Sequence, residues 1–138
     1  RADATGTLTG LTRGSEKTHI ARAALEGIAL QNADLLEAME ADLGDELVGM
    51  KVEGGAAQND LLMQIQADVV DRTIERPSIT QTTALGAALL AGLGEGIFES
   101  LEDVKSVWRS DHSFEPDMTD TDRAKLFNRW NHAIEKFS

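Results

Sequence analysis

The sequence predicts an α/β domain, because segments of helical periodicity alternate with short β-type runs in the order helix, strand, helix, strand, helix, with one more helix at the end. The two runs that read as strands, Val48 to Val52 and Arg72 to Pro77, are bounded by turn residues and separated by a helix-sized stretch. Strands joined in this way pair in parallel through a crossover. The 138 residues amount to one domain.

Each element has its own signal. The lead-in "TGTLTGLTRG" alternates β-formers with glycine and reads as an extended or turn-rich segment. From Thr18 on, Ile20, Ala24, Ile28, Leu35 and Met39 recur mostly three or four apart, with Leu25 and Leu36 beside the stripe, until Gly44 ends it. This spacing predicts an amphipathic helix of about 24 residues. Val48, Met50 and Val52 alternate with Gly49 and Lys51 as in a strand, which runs into Gly54 and Gly55. Asn59 then caps a second helix carrying Leu61, Leu62, Ile65, Val69 and Val70 on one face. "RTIERP" is a β-like run closed by Pro77, and "TQTTALGAALLAGLGEG" is a third helix ending near Gly94 or Gly96, apolar enough to be read as buried. Last, Thr119 and Asp122 form a capping box for a helix with Leu126, Trp130 and Ile134 four apart. Two strands do not make a stable sheet alone, so one more is expected from the lead-in and the others from an upstream segment outside this chain or from a partner chain.

Composition narrows the function. Hydrophobic residues at 41% and charged residues at 27% are those of a soluble globular protein. The net charge of −11, with no run of Lys and Arg, disfavours nucleic acid and anionic membrane as partners. The absence of cysteine excludes disulfides, thiolate zinc sites and cysteine nucleophiles. The apolar segment Ala84 to Phe98 is too short to span a bilayer and contains Glu95, and the N-terminus has no signal-peptide character, so a cytoplasmic location is expected. The chain begins with Arg1 rather than Met, which suggests a processed product or a piece of something longer.

Candidate chemistry concentrates in "VEGGAAQND". Glycines that follow a strand let another backbone or a ligand approach, and the helix that comes next turns its free N–H groups to the same place. A nucleotide phosphate or ribose suits this arrangement, with Asn59 as an amide hydrogen-bonding group, and so does an ordinary tight turn between strand and helix. Neither a G-x-G-x-x-G nor a G-x-x-x-x-G-K-[ST] run is present. Small residues crowd the third helix at Ala84, Gly86, Ala87, Ala88, Ala91 and Gly92, suiting close packing or an interdomain hinge. His19, His112 and His132 lack metal-ligand spacing, with His19 placed to cap or to pack at the start of the first helix and His112 and His132 read as surface groups. Asp117, Asp120 and Asp122 lack the glycine and the distal Glu of a calcium loop, so capping accounts for them better. Trp108 and Trp130 could stack on a base, and Trp130 by its spacing suits the core. No catalytic triad or carboxylate pair can be assembled.

Across nearly its whole length the chain resembles the C-terminal part of the FGGY carbohydrate kinases. In "GTLTGLTRGSEKTHIARAALE", Gly6, Leu8, Gly10, Leu11, His19, Ile20, Ala23, Ala24, Leu25 and Glu26 occupy the places of the family signature. "VEGGAAQNDLLMQIQADVV" is similar to the family's adenosine segment, and "ERPSITQTTALGAALLAGLGEG" to its next strand and small-residue helix. "GLTRG", "LLMQIQAD" and "FEPDM" followed by Trp130 resemble the branch acting on glycerol more than those acting on xylulose or gluconate.

The resemblance implies a partial RNase H-like, actin-like ATPase lobe that binds ATP or ADP through Gly54, Gly55, Ala56 and Asn59, with the glycines clearing space for the nucleotide. It also implies that the N-terminal lobe, the sugar or polyol site, the catalytic base and the Mg²⁺ ligands lie outside this chain, which alone should be inactive. The small-molecule substrate is expected to be glycerol or another polyol or sugar. An exposed strand edge and self-association are expected too. Family members usually carry Asp where Glu53 stands and often Glu where Gln81 stands. A free-standing, non-catalytic nucleotide-binding or interaction module is the rival expectation.

Overall fold

The computed structural model describes residues 6–79, 81–107 and 109–137. Trp108, weighed above as a base-stacking residue, lies outside them, as do Thr5 of the lead-in and Thr80 before the third helix. The first helix, α1, is Lys17–Leu43. The Glu16 N–H donates to His19 Nδ1 at 3.1 Å, giving His19 its expected capping place. Gly44 closes the helix in the left-handed region, with its N–H on the Glu40 carbonyl at 2.9 Å.

Strand β1, Gly49–Lys51, is followed by a 3-10 turn at Gly55–Gln58, helix α2 at Asp60–Val70 and strand β2 at Thr73–Pro77. β1 and β2 pair in parallel, Met50 opposite Ile74, as the alternation predicts. Helix α3 is Thr82–Gly94, α4 is Leu101–Ser106, strand β3 is Ser110–Phe114 and helix α5 is Asp120–Phe137. The sheet order is β1-β2-β3, with β3 antiparallel to β2 and an irregularity between Arg76 and Pro77.

Helix α2 is central because it is apolar on two sides. One side joins Ile65 and Val69 to Ala29, Leu30 and Ala33 of α1 and Leu126 of α5. The other joins Leu62, Met63 and Ala67 to Ile74 of β2 and Phe114 of β3. Each fully buried leucine, isoleucine or valine here contributes about 1.5–3 kcal/mol. Polar clamps fix the layers: Trp130 donates from Nε1 to Asp34 at 2.8 Å, and Arg123 reaches the Asp68 carbonyl at 2.8 Å and the Asp71 carboxylate at 2.6 Å. Trp130 is thus a packing residue that ties α5 to α1.

Several expectations are corrected. The added strand comes from residues 110–114, not from the lead-in, whose described residues form a turn at Thr12–Ser15 and no strand. Helix α4 was not anticipated. On α1 the predicted stripe is the exposed one: Ile28, Leu35 and Met39 face outward, while Ala29, Leu30 and Ala33 are buried. Helix α3 forms as expected but is largely exposed, with Gly92 its one buried residue, covered by the Phe98 ring. Among the described residues no helix is long and apolar enough to cross a membrane.

Candidate nucleotide site

The carboxyl ends of the parallel strands β1 and β2 open toward the same place, the side of a parallel sheet where ligands gather. After β1 the ladder continues for one bond, from the Val52 N–H to the Glu75 carbonyl at 3.0 Å. The chain then turns at Gly54, with φ 81° and ψ −178°, a combination open only to glycine. Gly55 begins the 3-10 turn, and a Cβ built on it would meet no protein atom within 4 Å. Ala56 is exposed and Ala57 is buried, so the turn is anchored from inside and bare outside.

Asn59 caps α2: its side-chain oxygen accepts the Leu62 N–H at 3.1 Å. That leaves the amide NH₂ without a partner among the described residues, on the same exposed turn as Gly55. The four residues singled out from the sequence, Gly54, Gly55, Ala56 and Asn59, therefore lie on one continuous turn, with three features in common: exposure, absence of bulky side chains and proximity to a helix start.

Two residues not singled out for the site frame it. Thr82, in the first turn of α3, donates its hydroxyl to the Glu53 carboxylate, so the segment after β1 is tied to the helix that follows β2. Arg76, at the end of β2, donates to the Ala57 carbonyl at 3.1 Å and to Asp60 Oδ1 at 2.6 Å. Beside it, Gln58, Asp60, Pro77, Ser78 and Asp111 line an open cavity of about 300 Å³. A cation at the end of a strand was the available sequence signal for Arg76, but a single arginine carries no spacing pattern. Gln81 precedes α3 without a side-chain cap bond. Among the described residues no group of three or more His, Asp or Glu side chains could hold a metal ion.

Residues 1–95 match the model of the FGGY family of carbohydrate kinases, C-terminal domain. The glycerol kinase of Deinococcus radiodurans is 52% identical over 135 residues, covering 98% of this chain and 27% of that protein. The glycerol kinase of Dechloromonas aromatica is 52% identical over 133 residues, covering 96% and 26%. Among solved structures, Plasmodium falciparum glycerol kinase with ADP superposes at a TM-score of 0.90 with 39% identity, covering 99% of this chain and 28% of that one. Xylulose kinase from Rhodospirillum rubrum superposes at 0.79 with 26% identity, covering 97% and 28%. The chain thus spans about a quarter of the length of the relatives it matches. The α/β fold with its actin-like ATPase relationship, read from alternation and resemblance, agrees with these neighbours. The chain belongs to the FGGY family of carbohydrate kinases, within the part of the family described as its C-terminal domain.

Proposed function

We propose that these residues form the nucleotide-side portion of a cytoplasmic glycerol kinase, which transfers the γ-phosphoryl group of ATP to glycerol. The observation that carries the reading is the Asn59 amide, whose oxygen is committed to the α2 cap while its NH₂ remains a donor beside the bare turn of Gly54, Gly55 and Ala56. In this reading Gly55 admits the nucleotide to backbone distance, Asn59 donates to an acceptor on the nucleotide, and Gly54 gives the turn its shape. The identities of 52% and 39% to glycerol kinases, against 26% to a xylulose kinase, support glycerol over other polyols.

Phosphoryl transfer depends on positioning and charge stabilisation. This chain's residues would supply nucleotide positioning. The described residues do not fit a Mg²⁺ site, and no step is assigned to them through that ion. The polyol ligands and the base fall to the remainder of a longer protein. Self-association belongs to the same reading, with β1 at an edge of the sheet.

The test is a kinase assay of the full-length gene product with ATP, Mg²⁺ and a panel of glycerol, xylulose and gluconate. Phosphorylation of glycerol with the highest kcat/KM supports the proposal, and preference for another substrate moves the assignment within the family. A native gene product of about 14.9 kDa in the source cells, the mass of this chain alone, would remove the kinase reading for this polypeptide.

A further inference from the structure

We infer that Arg76 is the positioning residue of the nucleotide-binding turn, an inference that rests on the reading of Gly54 to Asn59 given above. The Arg76 side chain is 14% exposed and reaches three elements from one guanidinium. Its NH1 donates both to the Ala57 carbonyl, inside the 3-10 turn, and to Asp60 Oδ1, the residue directly after the Asn59 cap. Its NH2 lies 3.6 Å from Asp111 Oδ2 on β3. The guanidinium carbon stands 5.4 Å from the centroid of the Phe114 ring on β3, a cation–π contact that adds a further attachment to the sheet.

On the chain, these contacts fall just after Gly54 to Ala56 and just after Asn59. Ala57 follows Gly55 and Ala56, while Asp60 follows Asn59, so a shift of Arg76 moves the turn and the amide together. The sheet contributes a fixed base through β2 and β3, whereas the turn itself has the buried Ala57 side chain as its inward anchor. Arginine suits this place because its planar fork serves several acceptors and an aromatic face at once, and lysine cannot do so. Nothing in the contacts requires Arg76 to touch the nucleotide.

The experiment compares Arg76→Lys, Asp60→Asn, Asn59→Asp and Gly55→Leu in the full-length protein. It measures KM for ATP, KM for glycerol and thermal midpoint. Because small misplacements of binding groups are expensive, Arg76→Lys is expected to raise KM for ATP by roughly tenfold to a hundredfold with KM for glycerol unchanged. Asp60→Asn, at a side chain 74% exposed, tests the same contact without disturbing the core, and a smaller rise of the same kind is expected. An unchanged KM for ATP in both variants overturns the inference. Equal rises in both KM values that track the thermal midpoint also overturn it, since they indicate a general structural role. If Asn59→Asp and Gly55→Leu raise KM for ATP while Arg76→Lys does not, the Arg76 inference alone fails. If none of the four does, the nucleotide reading itself has failed and this inference falls with it.

Discussion

The Asn59 side-chain oxygen accepts the Leu62 backbone N–H at 3.1 Å, so one end of this amide is spent on the helix while the other has no partner among the described residues. The two roles separate by mutation. Aspartate caps as well as asparagine and gains from the helix dipole, so Asn59→Asp should leave stability unchanged or slightly raised. It removes the NH₂ donor and brings a negative charge toward phosphate, so nucleotide affinity should fall. Asn59→Ala should lose affinity and about 1 kcal/mol of stability together. ATP titration and urea unfolding of both variants check this, and full affinity in Asn59→Asp would take Asn59 out of the site.

The adjacent glycines should behave differently. Gly54 has φ 81° and ψ −178°, so Gly54→Ala should destabilise the protein by about 1–3 kcal/mol through backbone strain. Gly55 has neither a positive φ nor a neighbour within 4 Å of a built Cβ, so Gly55→Ala should fold normally. Its effect should appear in nucleotide binding. Denaturant midpoints separate the pair, and equal destabilisation by both would show that the bare face of Gly55 serves folding alone.

Buried polar pairing gives a third expectation. Gln66 is 2% exposed, between α2 and α1, and its Oε1 accepts Asn32 Nδ2 at 2.7 Å. Its own Nε2 donates to the Ala29 carbonyl at 3.4 Å. Asn32→Ala leaves the buried acceptor without its donor, so a loss of about 1–3 kcal/mol is expected. Asn32→Ala combined with Gln66→Leu should recover part of the loss, because no polar atom is then stranded. Urea unfolding of the three variants measures this, and a double variant less stable than the single one contradicts it.

What was legible in the sequence were the elements with strong local signals. Asn59 and Gly54 marked a cap and a turn by residue type alone, and the parallel β1-α2-β2 unit followed from periodicity. β3 was not legible because Ser110, Asp111, His112 and Ser113 are all exposed, leaving no alternation to read before Phe114. For α4 the signal was present: Ser100 accepts the Asp103 N–H at 3.2 Å, a cap that "SLED" spells out. The choice of face on α1 failed for a physical reason. This helix is apolar on two sides, and periodicity does not say which one meets α2. Arg76 was missed because its importance lies in contacts with Ala57 and Asp60, which only the folded chain brings to it.

Acid should weaken the start of α5 in a defined direction. The Asp122 carboxylate is held below its ordinary value of 3.8 by hydrogen bonds from Lys125 and Thr119 and by the Lys125 charge. A group whose folded pKa is depressed contributes stability that is present above the unfolded pKa and is lost as pH falls through the folded one. The loss therefore belongs below about pH 4, the unfolded carboxylate range. Asp122→Asn should flatten this part of the stability profile and leave the neutral slope alone. Urea midpoints taken from neutral pH downward test it, and an acid slope identical to the parent would exclude Asp122 as a contributor.

The surface of the chain bears on how it behaves when expressed alone. On α1, Leu35 and Leu43 are 61% and 62% exposed, and Ile28 and Met39 are each 45% exposed on the same helix. Val48, leading into β1, is 95% exposed, and β1 lies at the edge of the sheet. Edge strands and contiguous apolar faces without cover promote association. The net charge of −11 opposes it by repulsion, which salt screens. The 138 residues alone should therefore associate more as concentration and salt rise together. Leu35→Lys with Leu43→Lys should reduce the effect by breaking the apolar stripe, even though lysines lower the net repulsion. Light scattering over a concentration series at two salt levels decides the matter: a constant monomer mass throughout would mean that these faces do not suffice to drive self-association.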